Sequence, residues 1–406
     1  MTALLLAACG ADNAPPSDSA PVAEVITSWT SSGERAALQV VADAYTARGG
    51  RWAPLMIAGF DNAGATGLAR IVGGTPPTAM SFVAGPGYDD LDDRGILRPI
   101  GELVDPAQLR FPLPASLVDK VERQGRMVAL PLVVQVQARL FYSRAALAAA
   151  GVTAVPSDWP QMFAALDKLK AAGLIPLALG GQAWQESLMF DAVLLSVLGK
   201  QDYERLFLQH DAALIRGPGF LRAVEIFGRL RDYVDRASPG RNWNDATELL
   251  ISRRAGFQLI GDWATSEFAA AGQHAGADFG CQIGFDGRLA MIGGDVLVFP
   301  RSTRGLRAQK LLAQVLLDPA VQSGFARKLG ALPARLDAPL AGMAPCALAA
   351  AAAFRDPART VPARYMTLPK DVDGDLTDVV SEYWNNRETS AARMVERFAS
   401  VLLNAT

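Results

Sequence analysis

The sequence predicts an α/β protein of two lobes, and three observations carry that prediction. The chain has 406 residues, more than one ordinary core accommodates. From Glu24 to Val104, apolar β-rich runs alternate with amphipathic helical ones, the rhythm of a parallel or mixed sheet with helices on both faces. The longest apolar run, Gly125 to Leu147, carries Pro131, which argues against a regular central strand and marks a segment passing between lobes.

The elements follow in order. "EVITSW" reads as a strand and "ERAALQVVADAYTARGG" as a helix ended by paired glycines. "RWAPLMIAGF" is a second strand. "NAGATGLARIVGGTPP" is a short helix stopped by Gly and Pro, and "TAMSFVAGPG" a third strand. Ligands of such sheets gather at the carboxyl ends of strands, where Trp29, Ser81 and Phe82 fall. In "VPSDWPQMFAALDKLKAAG", Ser157 reads as an N-cap and Pro160 as an early helical residue. "IPLALGG" and "GGDVLVFPRS" are strands, "ELLISRRAGFQLIGDWATSEF" is helix, strand and a tight loop into another helix, and 305–317 is helical. "GALPARLDA" is a second crossing segment, and mostly helix follows it.

Composition narrows the function. Lys plus Arg number 39 against 41 for Asp plus Glu, so no basic surplus is present to neutralise a phosphate backbone, and a nucleic acid partner is not expected. The two histidines, His210 and His274, have no Cys or His at metal-ligand spacing, so neither a metal nor another cofactor is expected.

The start "MTALLLAACGADNAPPSDSAP" is an apolar run, small residues, one Cys and a polar spacer, the grammar of an export signal. "LAAC" resembles the lipobox of bacterial lipoproteins, in which Cys9 would be lipidated and residues 10–22 would form the tether. The basic n-region is missing; a soluble signal peptide is the alternative. Export into an oxidising compartment leaves Cys281 and Cys346 as an even pair, expected to form a disulfide, with two buried free thiols as the alternative.

"SWTSSGERAAL", "GLIPLALGGQAWQES", "PGRNWNDATELLI", "AGFQLIGDWATSEFAAAG" and "GALPARLDA" together resemble the solute-binding proteins of bacterial ABC sugar importers, most closely the glucose-binding subgroup. The resemblance runs from about Val25 to the end. It implies a type II periplasmic-binding fold, two lobes joined by several hinge crossings with the ligand between them. The lobes would comprise 23–130 with 286–332, and 131–285 with 333–406, after a leader of residues 1–22. It implies a monomeric, non-enzymatic periplasmic or cell-envelope protein that hands a small solute to membrane permease subunits.

A sugar offers flat C–H faces and a rim of hydroxyls, so its site wants aromatic faces, carboxylates and amides. By resemblance, Trp29, Trp243 and Trp263 are stacking residues, and Glu34 and Asp295 are rim carboxylates. Core packing is the plain alternative for each Trp, and a helix-start carboxylate for Glu34. Trp52, Trp159 and Trp184 read as structural, as does Asp262 in its turn. The chain departs from the subgroup in several places. Ser28 precedes Trp29 where the subgroup has a second Trp. Ser81, Phe82, Val83 and Ala84 stand where it has Gln and His or Lys. Gln135 replaces a His and Leu329 a Lys. Ser81 and Gln135 remain as candidate contacts, and the thinner polar rim points to a substrate other than plain glucose, a less polar glycoside or lipid-like solute. An unmet hydroxyl costs about 1–3 kcal/mol.

Asp371 to Glu382, "DVDGDLTDVVSE", spaces its acids like a calcium loop, but Leu376 occupies the Gly position and no entering helix precedes it. A helix start capped by Asp375 or Thr377 is expected instead. An exported carbohydrate-active hydrolase pairing Glu34 with Asp295 is the competing function. No G-x-S-x-G element or Cys/His pair supports other hydrolytic chemistry.

Overall fold

In a computed structural model, residues 19–302 and 305–404 are described. Cys9 and its surroundings lie outside them. Two sheets organise the chain. The larger has seven strands, ordered Leu332–Pro333, Ala129–Val136, Ala290–Val298, Ala79–Val83, Val25–Thr27, Leu55–Met56, with Thr360–Pro362 pairing to Ala290–Val298. Val25–Thr27 runs parallel to both neighbours, whereas Ala290–Val298 runs antiparallel to Ala79–Val83 and Ala129–Val136. The smaller sheet has four strands, ordered Ile175–Leu177, Ala255–Ile260, Arg139–Ser143, Phe279–Ile283.

The two longest strands, Ala129–Val136 and Ala290–Val298, are buried along their whole length, as their near-continuous apolar composition requires. Pro131 does not exclude the first of them from the sheet, contrary to the sequence expectation. Register slips between Asp295 and Val296 opposite it, and the irregularity absorbs the missing N–H. The Pro131 carbonyl is also used, accepting the Gln322 Nε2 donor at 3.0 Å. The first passage between sheets therefore falls at Gln137–Ala138. The chain returns through Gly284–Leu289. After Leu332–Pro333 it reaches the helix Pro345–Phe354, then comes back to the larger sheet at Thr360–Pro362.

A disulfide joins Cys281, on the smaller sheet, to Cys346, on that helix, with Cα atoms 6.0 Å apart. Other local expectations need correction. Asp158, not Ser157, caps the helix Trp159–Ala171, accepting the Gln161 N–H at 2.8 Å. "RWAPLMIAGF" breaks at Pro54 into two short strands. Asp371 to Glu382 lies wholly within the helix Lys370–Asn385, which starts earlier than Asp375. Its Asp373 pairs with Arg364 at 3.0 Å, so the acids are helical side chains and not a loop around an ion.

Candidate functional site

One wall of the site begins at the helix Ser32–Ala47, which follows the short strand Val25–Thr27. Ser31 caps it: its hydroxyl accepts the Glu34 N–H at 3.2 Å, while Glu34 Oε2 accepts the Ser31 and Thr30 N–H groups at 3.0 and 2.9 Å. Burial pushes Glu34 up to about 7, and the negative charge of Glu267 adds to it.

Glu267 comes from the other side, on the helix Ala264–Ala270 that follows the smaller sheet. Its carboxylate accepts the Ser32 hydroxyl and the Gly33 N–H, each at 3.0 Å. The two sides touch here, and Gly33 makes the approach possible: a Cβ on it would lie 2.1 Å from Ser266 Oγ. A carboxylate at a helix N-terminus is favourable, so this bond is a latch between the two halves.

The floor is built from the buried central strands. Asp295 is 8% exposed and faces Val83 and Val133 in register, and its carboxylate receives no hydrogen bond among the described residues. Burial pushes it up to about 8, with Glu34 and then Asp262 adding negative charge. Asp262 is itself raised to about 7 by burial, against the pull of Arg139. The Val136 N–H donates to Asp262 Oδ2 at 2.9 Å and the Asp262 N–H returns to the Val136 carbonyl at 3.0 Å, leaving Oδ1 unpartnered. Asp262 is thus both a turn residue, as expected, and a tie between the sheets with one acceptor spare. Arg139 is fully buried, with all three guanidinium nitrogens unpartnered among the described residues.

Tyr365, just after Thr360–Pro362, brings a buried, unpartnered hydroxyl to the same floor, and Asp295 is among the charges that raise its pKa. Gly293 admits it, since a Cβ there would lie 1.8 Å from that hydroxyl and 2.4 Å from Gln137 Nε2. Gln137 donates to Gln135 Oε1 at 3.4 Å.

The opposite wall is aromatic. Trp263 lies in the turn between Asp262 and Glu267. Its ring centroid is 6.5 Å from Trp243, edge-on, and 6.1 Å from Trp184. The polar residues of the quoted motifs hold this group in place. Gln182 Oε1 accepts the Trp243 N–H at 3.0 Å, and Gln185 accepts the Gly180 N–H at 3.1 Å. Arg241 pairs with Asp235 and donates to the Leu179 carbonyl at 3.2 Å. Asn242 and Asp245 form a capping box that starts the helix at Trp243.

The residues expected from sequence are only partly brought together. Trp243 and Trp263 meet, and the charge of Glu34 acts on Asp295. Gln135 joins them through Gln137, and Ser81 lies one pleat along from Val83 with its hydroxyl unpartnered. Trp29 stands apart from the other indoles: it is 7% exposed and packs on Phe325 at 5.3 Å, a core role. Trp184, read as structural, is instead 38% exposed beside Trp263. Trp52 packs against Tyr45, and Trp159 stacks on Phe285 at 4.1 Å. Trp384 lies against Phe227. Phe82 packs between Phe60 and Tyr88. Sequence reasoning missed Gln137, Arg139, Glu267 and Tyr365. The signal for Arg139 was a lone charge in the apolar run Ala129–Phe141. Tyr365 carried none, because only the third crossing brings it in. Among the described residues no group of His, Cys, Asp and Glu is arranged to hold a metal ion.

Comparison with known proteins agrees with this architecture. The chain is 35% identical over 345 residues to a probable sugar-binding periplasmic protein of Rhizobium meliloti (strain 1021), covering 84% of this chain and 81% of that one. It is 32% identical over 389 residues to another of that description from Brucella suis biovar 1 (strain 1330), covering 93% and 91%. A solved chitin oligosaccharide binding protein shares the two-lobed fold at a TM-score of 0.79 and 20% identity, covering 96% of this chain and 99% of that one. The family model described as bacterial extracellular solute-binding protein matches residues 57–355. With two sheets joined by repeated crossings and polar and aromatic side chains converging between them, the chain belongs to the bacterial extracellular solute-binding protein family.

Proposed function

We propose that this protein is the capture component of an ABC importer, taking a sugar or sugar-like solute between its two lobes and delivering it to membrane permease subunits. The observation that carries this reading is the pairing of an indole wall with an acid floor. Trp263 sits between Asp262 and Glu267 in the chain; the charge of Asp262 acts on Asp295 of the larger sheet, and Glu267 accepts the Gly33 N–H at the start of the helix that carries Glu34. Aromatic faces opposite fixed acceptors suit a ring with apolar faces and a hydroxyl rim. The relatives described as sugar-binding support the same class of solute.

The solute is other than plain glucose, given the altered positions 81–84, 135 and 329. It is also polar: the Asp295 carboxylate, Asp262 Oδ1, the Ser81 and Tyr365 hydroxyls and the Arg139 guanidinium are buried without hydrogen-bond partners among the described residues, and a lipid-like guest would leave them so at a cost of about 1–3 kcal/mol each. A hydrolase pairing Glu34 with Asp295 is disfavoured because Glu34 Oε2 is engaged by two backbone N–H groups. Work outside the cytoplasm fits the disulfide, and Cys9 would supply a lipid anchor to a monomer.

A thermal-shift screen against mono- and oligosaccharides, with mass analysis of the recovered sugar, tests the proposal. A binder gains melting temperature with a few related sugars and returns them intact. Cleaved sugar, or no response to any saccharide, contradicts it.

A further inference from the structure

Behind the aromatic wall the smaller-sheet half holds a cavity of its own, and we propose that this is a second saccharide site, separate from the gap between the sheets and weaker than it.

The cavity measures about 270 Å³, and its lining includes Glu186, Arg231, Asp235, Arg236, Trp384 and Asn385. Glu186 stands two residues beyond Trp184 on the helix Ala183–Gln209, about 200° around its axis. The two side chains therefore leave opposite faces of the helix, Trp184 beside Trp263 and Glu186 beside this cavity. Gly181 and Pro239 close the side nearest the wall. A Cβ on Gly181 would lie 2.7 Å from the Pro239 Cα, so the loops leading to Trp184 and Trp243 meet backbone to backbone. The lining comes from 181–186, 231–239 and 384–387, all on the smaller-sheet side. Closure of one half on the other neither makes nor removes it.

The side chains around this cavity leave polar capacity unused. Glu186 is 1% exposed, and both its oxygens accept the same donor, Asn385 Nδ2, at 3.1 Å, with no ion pair among the described residues. Arg236 is exposed, with neither a hydrogen bond nor an ion pair among the described residues. Arg231 donates to the Gly228 and Tyr383 carbonyls at 2.9 and 3.0 Å and has no carboxylate of its own. Asp235, by contrast, is satisfied by Arg241. A simple anion would meet the Glu186 carboxylate, and a simple cation would meet the arginines. A hydroxylated ring donates to the first and accepts from the second, and its C–H face suits an indole. Trp384 supplies that indole, backed by Phe227 at 4.9 Å. The volume lies near the lower bound of about 300 Å³ for ligand pockets, room for one sugar ring and not for a chain. Because Arg236 and Asn385 are exposed, water competes for the contacts and the affinity should be about millimolar.

Indole NMR of nitrogen-15-labelled Trp263→Ala protein tests this, since that change weakens the gap and leaves the cavity alone. The Trp384 signal is identified by its absence from Trp384→Phe. Glucose, galactose and xylose are titrated in turn to tens of millimolar, with sodium sulfate as the ionic control. At least one sugar should shift the Trp384 signal saturably, with a Kd of about 1 mM. Arg236→Ala and Glu186→Gln should each weaken that binding about fivefold or more. With Trp263 restored, Arg236→Ala should leave sugar affinity in the gap unchanged. No saturable shift with any sugar, a shift indifferent to Arg236→Ala, or a response to sulfate alone would overturn the inference. Sugar binding in the gap with a silent Trp384 would overturn it too, and would leave sugar capture standing.

Discussion

The two walls of the cleft are made differently. On the smaller-sheet side, Trp184, Trp243 and Trp263 are placed by short-range contacts: Gln182 to the Trp243 N–H, the Asn242–Asp245 capping box, Arg241 on Asp235. A disulfide reinforces the same half. On the larger-sheet side, Asp295, Gln137 and Tyr365 come from separate elements and are brought together only through strand register and the third crossing, with Glu34 on the neighbouring helix acting on Asp295 by its charge. One wall is rigid, apolar and locally encoded. The other is ionisable and assembled over long range. Capture by this protein thus combines a fixed platform with a responsive floor.

Four perturbations test that contrast. The largest effect belongs to the staple of the rigid half. Replacing Cys281 and Cys346 by Ser opens a loop spanning 65 residues, worth about 4 kcal/mol in a chain-entropy account. Melting should fall by several degrees, while sugar affinity measured well below the transition changes little. A collapse of affinity at full folding would mean the disulfide shapes the site directly.

Next is Trp263→Ala, which removes the platform: affinity should drop about 100-fold, roughly 2.7 kcal/mol, with the ligand-free fold intact. Unchanged affinity would take Trp263 out of the site.

The floor should reveal itself through pH. Burial holds Glu34 and Asp262 at about 7 and Asp295 at about 8 in the folded chain, above the ordinary carboxylate range. The folded state therefore keeps protons that the unfolded chain releases. Their stabilising contribution is complete below pH 4 or so and is lost as pH climbs through 7 to 8, at about 1.4 kcal/mol per pH unit for each proton retained. Denaturant titrations of ligand-free protein from pH 5 to 8.5 should show this decline, and Asp295→Asn should flatten it. A stability that rises over that range would refute the buried floor.

The smallest effect is expected at the latch. Glu267→Gln keeps an acceptor for Gly33 and Ser32 but weakens two charge-assisted bonds, so affinity should fall a few-fold with melting unchanged.

What the sequence disclosed follows the same division. "GRNWND" and "GDWATSEF" pointed to Trp243 and Trp263 because their polar residues act within a few positions of the Trp they hold, whereas Trp184 of "GGQAWQE" read as structural and lies beside Trp263. Glu34 and Asp295 were legible as an acid beside a helix start and an acid before an apolar strand. Trp29 misled, since a strand-end indole can turn inward, and here Phe325 receives it. Tyr365, Gln137 and Glu267 depend on which strands lie adjacent and on glycines that admit a distant side chain, Gly293 and Gly33. Pro131 misled about the crossing because a register slip in its neighbour accommodates it. Long-range register is a property of the folded sheet, and no local pattern announces it.

A crystal structure of the protein with a saccharide that raises its melting temperature tests the central claim most directly. The sugar should lie between the sheets with a ring face on Trp263 and a polar substituent within hydrogen-bonding distance of Asp295. A sugar bound elsewhere, with Trp263 and Asp295 both untouched, would contradict it.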